Sequence, residues 1–129
     1  MDKLNKSSTS TQFPDAPDVT RLIELSNGNK EFALRMINSF VKQSEHLILN
    51  IRKYLKREDY FHLRYEAHRL LGASRILNIN NVAKTIQALE NCYQKKDNNE
   101  RIQTLAKQLK AQLQVTKFQL DEIGDDLIK

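Results

Sequence analysis

The segment from Tyr60 to Leu77 places an imidazole among guanidinium groups, and it reads YFHLRYEAHRLLGASRIL. Its apolar periodicity predicts a helix whose packing face holds small and medium side chains, namely Leu63, Ala67, Leu70 and Ser74. On a helical wheel of about 100° per residue, His68 lies about 140° from the centre of that face. The His68 imidazole is therefore predicted to be exposed, where a neutral ring is a potential nucleophile.

The surroundings of His68 on this wheel are cationic and partly apolar. Arg64 and Arg75 lie within about 40° of His68, one and two turns away along the helix. Four other side chains lie within about 60° of it on the wheel: Phe61, Tyr65, Leu71 and Gly72. We expect this group to form one surface around the imidazole, although burial of Phe61 and Tyr65 against an adjacent helix is the alternative.

Gly72 is unusual because glycine inside a helix costs about 1 kcal/mol relative to alanine. One explanation is close packing against a neighbouring helix. The other is access, since a side chain one turn from His68 would obstruct a large reagent that approaches the imidazole. The sequence leaves both explanations open.

The length and composition of the chain indicate what kind of domain surrounds this helix. The chain has 129 residues, of which 40% are hydrophobic, with only three Gly and two Pro. This length suits one domain, and so few turn-forming residues disfavour sheets. Residues 1–17, rich in Ser and Thr and containing both prolines, are predicted to be a flexible tether, and residues 18–129 the helical domain.

The predicted fold is all-α: an antiparallel up-down four-helix bundle with a short additional N-terminal helix. Asp18 is predicted to cap the short helix. The turns fall at Asn27–Asn29, Glu58–Asp59 and Asn78–Asn81, and such short connections make neighbouring helices antiparallel. The predicted helices span Val19–Ser26, Lys30–Arg57, Tyr60–Leu77, Val82–Lys95 and Glu100–Ile123.

Several classes of protein are disfavoured by the same sequence. No apolar run approaches the roughly 20 residues that cross a bilayer, and the first residues lack the apolar core of a signal peptide. The single cysteine, Cys92, excludes an internal disulfide and suits the cytoplasm. One Cys and three scattered His residues make no metal site at the expected spacing.

The net charge is +5, and the sequence contains one dense basic cluster. This basic cluster comprises Arg52, Lys53, Lys56 and Arg57. It lies at the end of a predicted helix, where cations suit the helix dipole, so we interpret it as a solvated helix end. The alternative is a basic adaptor that binds a partner helix or nucleic acid, although a nucleic-acid binder usually has a longer basic stripe with aromatic residues.

The segment AHRLLGASRILN resembles the signature of histidine-containing phosphotransfer (HPt) domains, A-H-x-L-K-G-x-x-x-x-x-G. Ala67, His68, Leu70 and Gly72 match it. The resemblance continues, in the family's order, through DVTRLIELSNGNKEFALRMINSF, EDYFHLRYEAHRL and NVAKTIQALENCYQ with its Leu89-Glu90 pair. It covers residues 18 to about 120.

Two positions depart from the family pattern. Leu71 stands where the family has a lysine, and Asn78 stands where a glycine commonly closes the motif. We expect Arg64 and Arg75 to supply the missing charge near the phosphoryl group. Asn78 is an adequate substitute for glycine because asparagine also adopts left-handed backbone geometry.

The resemblance implies a phosphocarrier of bacterial two-component phosphorelays, with His68 as the phosphoacceptor and no nucleotide site or cofactor of its own. Its expected partners are the receiver domains of response regulators, whose own acidic sites would hold Mg²⁺. The receiver is expected to contact Arg64, Arg75, Gly72, Leu71, Phe61 and Tyr65. A monomer is expected, either as a separate protein or linked to a sensor kinase. The alternative is an HPt-like scaffold that binds receivers without being phosphorylated, because Leu71 replaces the lysine.

Overall fold

The computed structural model describes residues 16–95 and 99–129, and over these residues the chain is all-α, as predicted. Within them lie five helices and no strand: α1 (Thr20–Leu25), α2 (Lys30–Lys56), α3 (Tyr60–Ile76), α4 (Asn80–Lys95) and α5 (Asn99–Ile128). Helix α5 continues beyond its predicted end at Ile123. Most of the predicted tether, residues 1–17, lies outside the described residues.

The four long helices surround one core. Helix α2 packs against α3 and α5, and α4 packs against the same two helices. The order of the cross-helix contacts is that of antiparallel neighbours. His46 and Tyr54 of α2, for example, meet Glu66 and His62 of α3, respectively.

Buried side chains lie where the apolar periodicity places them. The α3 positions predicted to face the core, Leu63, Ala67, Leu70 and Ser74, are all buried. The Ser74 hydroxyl donates to the Leu70 carbonyl oxygen at 2.7 Å, so this polar group is satisfied inside the helix. The largest fully buried side chains of the core include Ile37, Phe40, Leu47, Ile86, Leu109 and Leu113. Because this packing holds α3 by one face, the opposite face is left at the surface.

The start of α3 is fixed by a side-chain cap. The Asp59 carboxylate accepts a hydrogen bond from the backbone N–H of His62 at 3.2 Å, and its second oxygen lies 2.7 Å from His62 Nδ1. Desolvation would raise the pKa of Asp59, but the hydrogen bonds from His62 outweigh it and lower that pKa. The end of α3 is closed by Asn78, whose φ of 62° confirms the predicted left-handed turn.

Glu58, in the turn before α3, has a φ of 52° without being a glycine. Left-handed backbone costs an L-residue about 1–2 kcal/mol, and glycine removes that cost. We expect Glu58→Gly to raise the free energy of unfolding by about 1 kcal/mol in urea denaturation. Glu58→Ala loses the same charge but keeps the Cβ, so equal stability of the two variants would contradict the interpretation.

Candidate functional site

His68 lies near the middle of α3 and is exposed, as predicted, with 60% of its side chain accessible. Its Nδ1 atom contacts the Oε1 atom of Glu90, which projects from α4 and is only 16% exposed. A carboxylate is an acceptor, so the neutral ring donates its Nδ1–H to Glu90. The Nε2 lone pair then remains available to an external reagent.

Glu90 is a residue of the candidate site that was not selected from the sequence. It follows Leu89, which is buried, and so stands at the edge of α4 that faces α3. In the sequence, the pair Leu89-Glu90 stands out only as part of the family resemblance. The signal that points to Glu90 is its place beside a core residue, combined with the antiparallel order of α3 and α4.

Arg64 is anchored to α4 rather than extended freely beside His68. Its guanidinium carbon lies 5.1 Å from the centre of the Tyr93 ring, a cation–π contact. Its Nε atom is buried and has no hydrogen-bond partner among the described residues. The Tyr93 ring therefore holds the Arg64 charge on the α4 side of α3.

Arg75 lies near the end of α3 and is exposed. It lines an open groove between α3 and α4, together with Lys84, Gln87 and Asn91 of α4. Neither Arg64 nor Arg75 makes a polar contact with the His68 imidazole within residues 16–95 and 99–129. The structure thus adds Lys84 to the cations on this side of α3.

The expectation that Leu71 offers exposed apolar contact is wrong. Leu71 is only 6% exposed and belongs to the core. On the wheel Leu71 lies between His68 and the packing face, on the side of α3 where His68 and Arg64 contact α4. A single-helix wheel cannot show how far the neighbouring helix reaches.

The two aromatic residues expected near His68 are both exposed, which excludes their burial against an adjacent helix. Phe61 packs edge-on against His62, and Tyr65 lies under the guanidinium of Arg69 at 5.9 Å. Arg69, directly after His68, is a further exposed cation that the sequence analysis did not select. The α3 surface therefore combines apolar rings with positive charge.

Gly72 is exposed, and a Cβ added to it would meet nothing within 4 Å. Close packing against another helix therefore does not explain this glycine. The remaining explanation is open access to the His68 ring, one turn away.

The described residues give no sign of a metal centre or a membrane segment. No group of three or more His, Cys, Asp and Glu residues in the described ranges could hold a metal ion. None of the described helices is long and apolar enough to cross a membrane.

Comparison with known families identifies this arrangement. The family model for the Hpt domain matches residues 35–118, a span of more than half the chain that includes His68 and Glu90. The chain belongs to the HPt domain family. No curated protein and no solved structure matches it in the same comparisons. HPt domains are helical phosphocarriers of phosphorelays that interact with receiver domains of response regulators, and they lack a catalytic site of their own.

Substitutions at Gly72 test whether this glycine is needed for access to His68 or for the stability of the HPt domain. Both Gly72→Ala and Gly72→Leu should raise the free energy of unfolding, by up to about 1 kcal/mol, because helix propensity improves and nothing obstructs the new side chain. Only the leucine variant should strongly slow phosphoryl transfer from a charged receiver domain. Urea denaturation and transfer rates test this, and a Gly72→Leu variant that unfolds would contradict the access explanation.

Proposed function

We propose that this HPt domain relays a phosphoryl group between receiver-domain aspartates through a phosphohistidine at His68. The observation that carries the proposal is the pairing of an exposed imidazole with the largely buried carboxylate of Glu90. This pairing holds the ring by Nδ1 and leaves Nε2 as the nucleophilic atom.

The transfer step is a nucleophilic substitution at phosphorus that needs no cofactor bound to this chain. The Nε2 lone pair attacks phosphorus, the acyl P–O bond breaks, and the receiver aspartate leaves as a carboxylate with the bonding electrons. The positive charge that develops on the ring is stabilised by Glu90, which accepts the Nδ1–H throughout. The reverse step transfers the group to a second receiver aspartate. We assign the required Mg²⁺ to the acidic site of the receiver.

The receiver is proposed to dock on the exposed face of α3 around His68. Phe61 and Tyr65 supply apolar contact, and Gly72 gives clearance for the approach. Arg69 and Arg75 steer an acidic receiver toward this face, because complementary charge raises the rate of encounter. Lys84 of α4 extends the same charge across the neighbouring groove.

The proposal also covers where the domain acts and in which oligomeric state. We place the domain in the cytoplasm, where Cys92 stays reduced and receiver domains are available. We propose that it acts as a monomer, since receiver docking needs only the α3 face and its α4 border. The same docking face serves whether the domain is separate or linked to a sensor kinase.

His68→Gln should lower the rate of transfer from a charged receiver by at least about a hundredfold, because an amide cannot act as the nucleophile. The free energy of unfolding should change by less than about 1 kcal/mol, since the side chain is exposed. His62→Gln is the matched control on the same helix and should keep the wild-type rate. Phosphorylation of the His68→Gln variant at the wild-type rate would overturn the proposal.

A further inference from the structure

In all three histidines, Nδ1 lies against a carboxylate oxygen. Of the other two, only His46 repeats the arrangement found at His68. His46 of α2 is 65% exposed, and its Nδ1 atom lies 2.6 Å from Oε1 of Glu66 on the neighbouring helix α3. The Glu66 side chain is only 11% exposed. Two adjacent helix interfaces therefore each present an exposed imidazole held by a largely buried carboxylate.

Glu66 is fixed from its other side by Tyr54. The Tyr54 hydroxyl donates to Oε2 of Glu66. Burial, with the hydrogen bond to Glu66 and its negative charge, raises the pKa of Tyr54 to about 12, so the phenol remains a donor at neutral pH. The Oε1 atom is thereby left to accept the Nδ1–H of His46, and the Nε2 lone pair of that ring remains available.

The His46 ring borders a groove of about 360 Å³ between α2 and α3. Besides the His46–Glu66 pair, the groove is lined by two cations, Lys42 and Arg69, and by two neutral polar side chains, Ser39 and Gln43. Lys42 lies one turn before His46, and Arg69 lies one turn after Glu66. The ammonium group of Lys42 and the guanidinium group of Arg69 are charged donors that can hydrogen-bond to the oxygens of a phosphoryl group.

His62 lacks this setting and so serves as the internal comparison. Its carboxylate partner, Asp59, is the local cap of the same helix and is 34% exposed. The His62 ring stacks on Tyr54 at a centroid distance of 5.9 Å and meets the Phe61 ring at 5.4 Å. The His62 side chain is 57% exposed, so what distinguishes it is its local, more exposed carboxylate partner and its two ring neighbours.

We propose that His46 is a second phosphoryl acceptor, which takes a phosphoryl group on Nε2 from a small acyl phosphate bound in the α2–α3 groove. The N–P bond forms as the acyl P–O bond breaks, and the carboxylate leaves with the bonding electrons. The Nδ1–H stays on the ring, where Glu66 balances the charge that develops. His46 and His68 use different carboxylates, so the two acceptors can be tested separately, although Arg69 borders both the groove and the proposed docking face.

The test uses the full chain, acetyl phosphate with Mg²⁺ as the probe, and a His68→Gln background. We expect an acid-labile, alkali-stable phosphoryl adduct by intact mass, located on His46 by peptide mapping. Adding His46→Gln should reduce this adduct by at least about tenfold, whereas adding His62→Gln should leave it unchanged. Lys42→Gln should slow its formation several-fold while circular dichroism shows an unchanged fold, because one of the groove's cations is lost.

The outcomes separate this proposal from the relay. If the wild type is labelled and the His68→Gln variant is not, His46 is not an acceptor and the relay stands. If the adduct persists after both His46 and His68 are replaced, the assignment to His46 is wrong. If His46 is labelled while a charged receiver fails to transfer to His68, the second site stands and the relay fails.

Discussion

The contact between the His68 imidazole and the Glu90 carboxylate joins two helices whose relative position is set by buried side chains. Leu70 and Leu71 of α3 and Ile86 and Leu89 of α4 all lie in the core. A shift of α4 by one residue would rotate Glu90 by about 100° and remove the carboxylate from Nδ1. Core packing thus determines which ring nitrogen of His68 remains free, and the proposed phosphoryl chemistry depends on that choice.

The surface around His68 combines an unobstructed glycine with several positive charges. Gly72 leaves the helix surface open although alanine would form the helix better by about 1 kcal/mol. Positive charge reaches this surface from three directions: through Arg64 held on Tyr93, through Arg69 beside Tyr65, and through Arg75 near Lys84. Leu71, which stands where the family has a lysine, is buried, and none of the cations just named hydrogen-bonds to His68 within the described residues.

The helices, their antiparallel order and the faces they bury were predictable from the sequence, and side-chain contacts between two helices were not. Periodicity within α3 was sufficient to place Leu63 and Leu70 in the core and His68 at the surface, and the turn at Asn78 followed from its residue type. Glu90 was missed because it lies on a different helix and reaches His68 only through the packing of α3 against α4. The burial of Leu71 and the stacking of Arg64 on Tyr93 were missed for the same reason.

The most direct test of the central claim is the position of phosphorus on the ring of His68. We would label the chain with ¹⁵N, phosphorylate it with a charged receiver domain, and record long-range ¹H–¹⁵N and ³¹P–¹⁵N correlations of the histidine side chains. The pairing of Nδ1 with Glu90 predicts phosphorus bonded to Nε2 of His68. Phosphorus bonded to Nδ1 of His68, or found only on a residue other than His68, would contradict the proposed role of the Glu90 contact.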